Sequence, residues 1–571
     1  LVAEARQRGA KTSQSIVNDV VRRLERGEVR FATEEPDNPV NFPRVFFIWR
    51  SNLLGASGKG HEYFLTHLLG ADGHTLADEN SEWRPETVAV PDETPRGKLD
   101  LAINIDFRMT STSLYADIVL PAATWYEKYD LSTTDMHPYV HPFNPAISPP
   151  WETRTDWQIF RTLSDAVARL AQDHLPASDD LVMAPIAHDT PDELAQPRGK
   201  VRDWRAGEVE PVPGKTMPRF VLVHRDYPNL DQMYTTLGPL AKKEITTKGI
   251  SIDGSRAYRE LGKRVGLHRV PGPGEGRPSL ERDEAAVETI LTLSGATNGH
   301  RAVEEWAALE RQTGLDLKGI AAGHEGEALT LKSITAQPRL ALPGPVWSGL
   351  EAPERRYAPF TVNVEYGVPW HTLTGRQHFY LDHEMLLDFG EGLPIYRPPL
   401  ALPPFAAGDT QAPADGAKAI TLRYLTPHQK WGIHTTYTDT PHMLTLFRGG
   451  PTIWISEEDA QTLGLHDNDW VEVYNRNGVI AARAVVTYRL PEGIAMMYHA
   501  QDRTIGVPGT TITKDRGGTH NSVTRVIPKP THLVGGYGHL SYGFNYYGPT
   551  GHQRDTLTWI RPMKEVDWRE R

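Results

Sequence analysis

Short apolar runs broken by polar, glycine-bearing loops set the rhythm of the first part of the chain. Arg44–Trp49 is a run too short for a helix and rich in β-formers, so it predicts a strand. A polar, glycine-rich loop, Arg50–Gly60, follows it. His61–Leu69 then places Tyr63, Phe64, Leu68 and Leu69 at near-helical spacing and stops at Gly70. In Leu99–Ile105 the apolar Leu99, Leu101, Ile103 and Ile105 alternate with Asp100, Ala102 and Asn104, the period of a strand. A third short run, Asp117–Leu120, ends at Pro121. Strand, glycine-rich turn, helix, strand is the order of a βαβ unit, and it predicts a doubly wound α/β start.

The middle of the chain has a weaker pattern. Arg219–His224 predicts a strand, Glu284–Leu293 a helix, and the Pro/Gly cluster Val270–Pro278 a loop. From about Arg355 the grammar changes. Thr452–Ile455 reads as a strand, and Ser456-Glu457-Glu458-Asp459 as a cap opening a short helix that stops at Gly464. Trp470–Tyr474, an Asn477-Gly478 hairpin turn and Val479–Thr487 follow. Many β-formers, one small helix and a tight hairpin predict a compact β-barrel, reached through the Pro-rich segment Pro398–Pro413. The expected division is residues 1–160 and 161–396 as α/β regions and 397–571 as the barrel domain.

Composition narrows the function classes. The 571 residues are too many for one hydrophobic core. A hydrophobic share of 39% with 23% charged residues is the balance of a globular protein. The formal charge of -11 argues against a surface built to coat nucleic acid. No apolar run reaches the roughly 18 residues of a bilayer span. There is no cysteine, which removes disulfides, thiolate zinc sites, cysteine nucleophiles and cysteine-held iron–sulfur clusters from these residues. The opening at Leu1 lacks the features of a signal peptide and reads as part of a longer polypeptide.

Candidate chemistry is sparse. Gly55-Ala56-Ser57-Gly58-Lys59-Gly60 resembles a phosphate loop but fails the Walker pattern, with Leu53 in place of the first Gly and Gly60 after Lys59. Backbone N–H groups of such a loop at a helix start still suit a pyrophosphate, and an ordinary tight turn is an equal competitor. Asp106-Phe107-Arg108 falls just past a strand, at the edge where open α/β sheets bind ligands. A solvated strand end is the commoner use of such a pair. His137 and His141, His428 and His434, and His520 show no HExxH spacing, so hydrogen bonding is the more frequent role for each. The Gly/Tyr-dense Gly535–Gly548 is a stacking platform or, more commonly, a packed closing strand. No nucleophile elbow or triad order is present.

Longer strings carry a sharper signal. RVFFIWRSNLLGASGKGHEYFLTHLLG at Arg44–Gly70, LDLAINIDFRMTSTSLYADIVLPAATWYEKYD at Leu99–Asp130 and TPHQKWGIHTTYTD at Thr426–Asp439 form one set. MMYHAQDR at Met496–Arg503, RGGTHNSVTR at Arg516–Arg525 and the terminal GGYGHLSYGFNYYG join it. Together they closely resemble the C-terminal half of the catalytic alpha subunits of membrane-bound respiratory nitrate reductases, in the molybdopterin oxidoreductase (DMSO reductase) superfamily. The resemblance implies α/β domains followed by a double-psi-type barrel, gripping a molybdenum bis(molybdopterin guanine dinucleotide). It implies that Ser51, Asn52, Ser57 and Gly58 line one dinucleotide. Asp106 and Arg108 would serve its guanosine end, with Lys128 as a counter-charge. Thr426, His428, Ile433, His434, Thr435 and Thr436 would form a barrel loop against pterin and phosphates, completed by His499, Asn521 and Asn545. The histidines would be hydrogen-bond partners, not metal ligands.

The family's molybdenum ligand and its 4Fe-4S cluster belong to the other half of the subunit, so no catalytic or metal-ligating residue is expected here. The resemblance further implies nitrate reduction with electrons from quinol and a peripheral place on the cytoplasmic face of the membrane. Its partners would be an iron–sulfur beta subunit, a haem b gamma subunit and a dedicated assembly chaperone, with no nucleic acid. Nitrite oxidoreductase alpha subunits, running the reaction in reverse, fit the same residues. A non-catalytic nucleotide- or glycan-binding protein is the reading from another class.

Overall fold

The computed structural model describes residues 1–32, 35, 37–57, 61–70, 97–134, 136–184, 204–247, 249–347, 349–352, 354–370, 375, 380, 393, 417–438, 440–446, 448–475, 477–499, 517–524, 526–531, 536–541, 556–563 and 566. They fall into two compact units that interleave along the chain. One comprises 17–120, 183–220 and 379–571; the other comprises 1–16, 121–182 and 221–378.

In the first unit, β1 (Val45–Trp49), β2 (Leu101–Asp106) and β3 (Ile118–Pro121) form a three-stranded sheet in that order. β1 and β2 run parallel, with Val45 opposite Leu101 and Trp49 opposite Ile105. Parallel neighbours need a crossover, and the described part of the connection contains the expected helix, His61–Leu68, whose last turns are π-helical. The helix ends at Gly70, in the left-handed conformation at φ 65°. β2 is buried along nearly its whole length, including Asn104, which is fully buried.

The same unit contains a closed six-stranded barrel. Its strands are β4 (Ile420–Leu425), β5 (Thr452–Ser456), β6 (Trp470–Asn475), β7 (Gly478–Thr487), β8 (Ile494–Met497) and β9 (Thr556–Pro562). Around the barrel the order is β4-β8-β5-β7-β6-β9. Two pairs, β4/β8 and β5/β7, are parallel and the rest antiparallel, so the double-psi expectation holds. Alternation fills the interior: Leu422, Tyr424, Ile453, Ile455, Val471, Val473, Ile480, Ala482, Ala484, Met497 and Ile560 make one core. Between β5 and β6 the expected cap forms, with Ser456 Oγ accepting from Asp459 N at 3.0 Å. The helix it opens, α1 (Glu457–Leu463), stops at Gly464 in the left-handed region.

One turn differs from its sequence reading. Asn475 pairs with Gly478, so Gly478 is the first residue of β7 and not part of the turn. Its glycine serves close approach, because a Cβ there would lie 2.5 Å from the Ser522 carbonyl and 2.6 Å from Glu62 Cγ. The Gly/Tyr segment contributes Gly536–Ser541, paired antiparallel with Val526–Thr531. The strand that closes the barrel is β9. The Pro-rich Pro398–Pro413 lies outside the described residues.

The second unit is mainly helical. Asp156–His174 starts at a capping box, with Thr155 Oγ1 accepting from Gln158 N. Asp283–Leu293 is the helix the sequence predicts. Gly299–Thr313 is one its pattern obscures, because Arg301 and Glu305 are as buried as Ala302, Trp306 and Leu309. Trp306 is fully buried in a core with Ile250, Ile252, Leu317 and Val362, and its indole N–H donates to Pro343 O at 2.5 Å.

Arg301 and Glu305 sit one turn apart at 3.4 Å. Burial pushes the Glu305 carboxyl up to about 7, against the pull of Arg301, and burial also lowers the Arg301 guanidinium. The folded unit therefore holds a proton that the unfolded chain releases near its ordinary value of about 4.3. A raised carboxyl contributes most below that value and loses the contribution as pH rises to about 7. Thermal midpoints of this unit are expected to fall over that window, and Glu305→Gln to flatten the fall. An equal slope in the variant would remove Glu305 as its source.

Candidate functional site

The loops that leave the carboxyl ends of β1 and β2 carry the first half of the candidate site. Arg50 leaves β1 in the left-handed conformation at φ 54°, and its N–H donates to Ile105 O at 3.1 Å. A non-glycine residue there is uncommon, and such strain concentrates where a loop is held for use. The chain then turns through a π-helical Leu53–Ser57. Asn52 is buried, and its Oδ1 accepts from Thr112 Oγ1 at 2.7 Å, Thr112 N at 3.2 Å and Gly55 N at 3.2 Å. Thr112 Oγ1 in turn accepts from Leu54 N at 3.0 Å. Gly55 leaves room for this amide, since an added Cβ would sit 2.6 Å from it and push it aside. Behind this, Ser113 Oγ donates to Asn104 Oδ1 at 2.6 Å and Asn104 Nδ2 to Ile48 O at 3.1 Å. The loop after β1 is thus fixed from β2 and from the short helix Ser111–Leu114.

Removing the Thr112 hydroxyl tests that bracing. Thr112→Val keeps the shape but takes a donor from Asn52 and an acceptor from Leu54. The expected cost is about 1–3 kcal/mol, with faster amide exchange at Leu54 and Gly55. Unchanged exchange would count against the bracing role.

The barrel supplies the second half. Residues 517–524 form a turn over the hairpin end. Val523 joins the barrel core, Asn475 Nδ2 donates to Val523 O at 2.8 Å, and Tyr424 Oη donates to His520 O at 3.1 Å. Asn521, fully buried, reaches from this turn to the β1 loop. Its Nδ2 donates to Ala56 O at 2.9 Å, and its own carbonyl accepts from His61 N at 3.2 Å. Asn521 thus ties the sheet loop to the barrel turn.

Residues 426–438, after β4, form a second barrel loop. Arg108 joins it from the sheet side: its guanidinium donates to Thr435 O at 2.9 Å, while Arg108 N donates to Asp106 Oδ1 at 3.2 Å. His434 and Tyr437 have positive φ, 51° and 76°. Trp431, Ile433 and Tyr437 are exposed, whereas Thr426, Gln429 and Thr435 are buried. His428, His434 and His499 cluster, with ring centroids 4.2 Å apart for His428/His499 and 5.2 Å for His434/His499. His499 Nδ1 lies 3.1 Å from Pro427 O, and its Nε2 3.2 Å from His434 Nδ1. A carbonyl only accepts, so the neutral His499 carries its proton on Nδ1. His434 must then donate from Nδ1, and in its neutral form Nε2 is the acceptor. Among the described residues no group of three or more His, Cys, Asp or Glu side chains is placed to hold a metal ion. His137 and His141 stack edge-on at 4.8 Å.

The structure therefore brings Ser51, Asn52, Asp106, Arg108, Thr426, His428, Ile433, His434, Thr435, Thr436, His499 and Asn521 into one unit, on loops tied to each other. Of Ser57 only the backbone is described; Gly58 and Asn545 lie outside the described residues. Lys128 belongs to the other unit, where its ammonium pairs with Asp156 at 2.8 Å and Asp130 at 3.2 Å. Sequence reading missed Thr112 and Gln429. The Thr110…Ser113 capping box was a findable signal for the former, since that helix presents Thr112; nothing in the chain marks the latter.

Two atoms test whether a bound group fits here. Thr426 Oγ1 and Gln429 Oε1 are buried and have no hydrogen-bond partner among the described residues. Buried polar atoms are ordinarily paired. Two orphans on one loop, next to a histidine cluster and reached by Arg108, fit a polar, partly anionic ligand.

Comparison with known proteins gives this geometry a family. Residues 4–166 match the molybdopterin oxidoreductase family, 243–365 domain V of the nitrate reductase alpha chain, and 422–540 the molybdopterin dinucleotide binding domain. The nitrate reductase alpha chain of Bacillus subtilis (strain 168) is 51% identical over 100% of this chain and 46% of its own length. Respiratory nitrate reductase 1 alpha chain of Escherichia coli (strain K12) is 47% identical over 98% and 45%. Perchlorate reductase subunit alpha of Dechloromonas aromatica (strain RCB) is 31% identical over 90% and 38%. The chain spans less than half the length of these relatives. It belongs to the molybdopterin oxidoreductase family, as a homologue of nitrate reductase alpha chains.

Proposed function

We propose that these residues are the cofactor-gripping part of a respiratory nitrate reductase alpha subunit, closing around a molybdenum bis(molybdopterin guanine dinucleotide). The observation that carries the reading is the 426–438 loop, with two orphaned buried oxygens and with Arg108 bound to its backbone. When bound, the group supplies two-electron oxygen-atom transfer, by which nitrate, two electrons and two protons become nitrite and water.

The chain's own residues bind and orient. Backbone N–H groups of the turn after β1 face a pyrophosphate, in a loop that Asn52, Thr112 and Asn521 hold rigid. Arg108 gives positive charge to the anionic tail, and Asp106, held in its turn by Arg108 N, accepts at the guanosine end. His434 offers Nε2 as an acceptor, fixed by His499 and Pro427. His428, Ile433, Thr435 and Thr436 shape the loop around the pterin. Ser51, Ser57, Gly58 and Asn545 complete the lining. Lys128 stays with its two carboxylates.

In this reading electrons arrive from quinol through a haem b gamma subunit and an iron–sulfur beta subunit, and the 4Fe-4S cluster of the alpha subunit is ligated outside these residues. The subunit works on the cytoplasmic face of the membrane, peripheral through its partners and loaded by an assembly chaperone. No helix among the described residues is long and apolar enough to cross a membrane.

The test is stoichiometric. Acid release from the complete complex carrying this chain is expected to yield two guanine nucleotides per molybdenum, and the isolated chain to leave nitrate untouched with a reduced viologen. A complex free of guanine nucleotide would end the assignment.

A further inference from the structure

We propose that Gln429 recognises the cofactor by accepting a hydrogen bond from an N–H on the edge of its bound heterocycle, an inference that rests on the cofactor reading above. Gln429 is buried, at 8% exposure. Its Nε2 donates to His434 O at 2.6 Å. That bond fixes the amide, because turning it over would set two carbonyl oxygens against each other. Oε1 must therefore face away from His434, and it is the atom that has no partner among the described residues.

The loop is built around this amide. Gly432 lies against it, and a Cβ there would come within 2.2 Å of Gln429 Nε2. His434, which accepts the bond, has the left-handed backbone that brings its carbonyl to the glutamine. An oriented, enclosed amide with an idle oxygen is costly on folding grounds alone, since a buried unmade acceptor costs about 1–3 kcal/mol. Simple packing would be served better by an apolar side chain of the same size.

The chemistry of the idle atom selects the partner. An amide oxygen only accepts, so a phosphate or another carbonyl would meet it lone pair to lone pair. Its partner is a donor, an amino group or ring N–H, which the pterin and the guanine of the cofactor both carry. Thr426 Oγ1, three residues earlier and also without a partner, can give or take a proton and suits the neighbouring atom of such an edge. The loop thus divides the ligand: Arg108, bound at Thr435, serves the anionic tail, and Gln429 reads the neutral ring.

The experiment uses the complete complex in cofactor-loaded and cofactor-free forms, with Gln429→Met and Gln429→Glu. Methionine keeps the bulk and removes the acceptor. It is expected to weaken cofactor retention at least about tenfold, read as guanine nucleotide per molybdenum-binding complex after dialysis. The thermal midpoint is expected to drop in the loaded form only. Protonated glutamic acid can donate to His434 O and accept from the ligand, so Gln429→Glu should regain retention as pH falls. Titrating cofactor-free complex with GMP and AMP separates the two rings. Loss of a GMP preference in Gln429→Met names guanine as the donor, and a retention defect without that change names the pterin. Equal loss of midpoint in loaded and cofactor-free forms, or unchanged retention, would overturn the proposal. A wild-type complex containing no guanine nucleotide would instead sink the cofactor reading itself.

Discussion

Gly518→Ala is expected to unseat the barrel turn that carries Asn521, at a cost of about 4 kcal/mol or more, the range reserved for a named structural failure. Gly518 has φ 67°, and an added Cβ would lie 1.9 Å from Val479 O and 2.9 Å from Ile480 Cα. The left-handed backbone alone costs an alanine only about 1–2 kcal/mol. The clash is the larger effect, because it is with the backbone of β7 and no rotamer change relieves it. Gly464 gives the control. Its φ is 71° but nothing lies within 4 Å of its Cβ position, so Gly464→Ala should show the backbone cost alone. Hydrogen exchange reads the result locally. Ala481 N donates to Gly517 O at 2.7 Å, and its protection should vanish in Gly518→Ala and persist in Gly464→Ala. Equal protection in the two variants would mean that the turn does not depend on this contact. The displaced Asn521 would also release Ala56 and His61, which it fastens.

The second large effect is expected where the barrel buries charge. Glu472 on β6 and Arg561 on β9 stand opposite each other, 2.8 Å apart, with side chains 1% and 8% exposed. Val471 and Val473 fill the barrel interior, so alternation puts Glu472 on the outer face, which is nonetheless covered. The guanidinium also lies 5.2 Å from the Tyr474 ring centroid. Replacing either partner alone strands a buried charge, with an expected loss of about 3–5 kcal/mol. The double variant Glu472→Met with Arg561→Met should recover most of it, because two apolar side chains of similar volume remove both desolvation costs. A denaturation cycle over the four proteins gives the coupling. Simple additivity of the two single losses would show that the pair is not an interacting unit.

Both effects rest on features that the linear pattern could not show. The strand runs were legible: Leu101, Ile103 and Ile105 alternate as a strand should, and the Ser456…Asp459 cap and Gly464 stop lie where they were read. These are local facts, decided by backbone sterics and side-chain period. The helix Gly299–Thr313 escaped because two of its buried positions are Arg301 and Glu305, whose burial depends on each other and not on hydrophobicity. Asn477-Gly478 reads locally as a turn, whereas in the fold Gly478 pairs with Asn475 and has Glu62 and Ser522 close against it.

The site divides the same way. The residues Asp106, Arg108, His428, His434 and His499 stood out through string resemblance. Asn52 and Asn521 are braces, since their amides hold Gly55 and Ala56. Thr112 and Gln429 became visible only as hydrogen-bond geometry.

The sequence by itself determined the α/β start, the barrel and the family, because strand period, caps and long matching strings are properties of neighbours along the chain. Tertiary structure decided which side chains serve each other: Arg108 with Thr435, Asn521 with Ala56, Glu472 with Arg561. Those pairs lie 327, 465 and 89 residues apart. Hydrogen bonds act over about 3 Å, so a partner that distant in sequence becomes a partner only once the fold has closed.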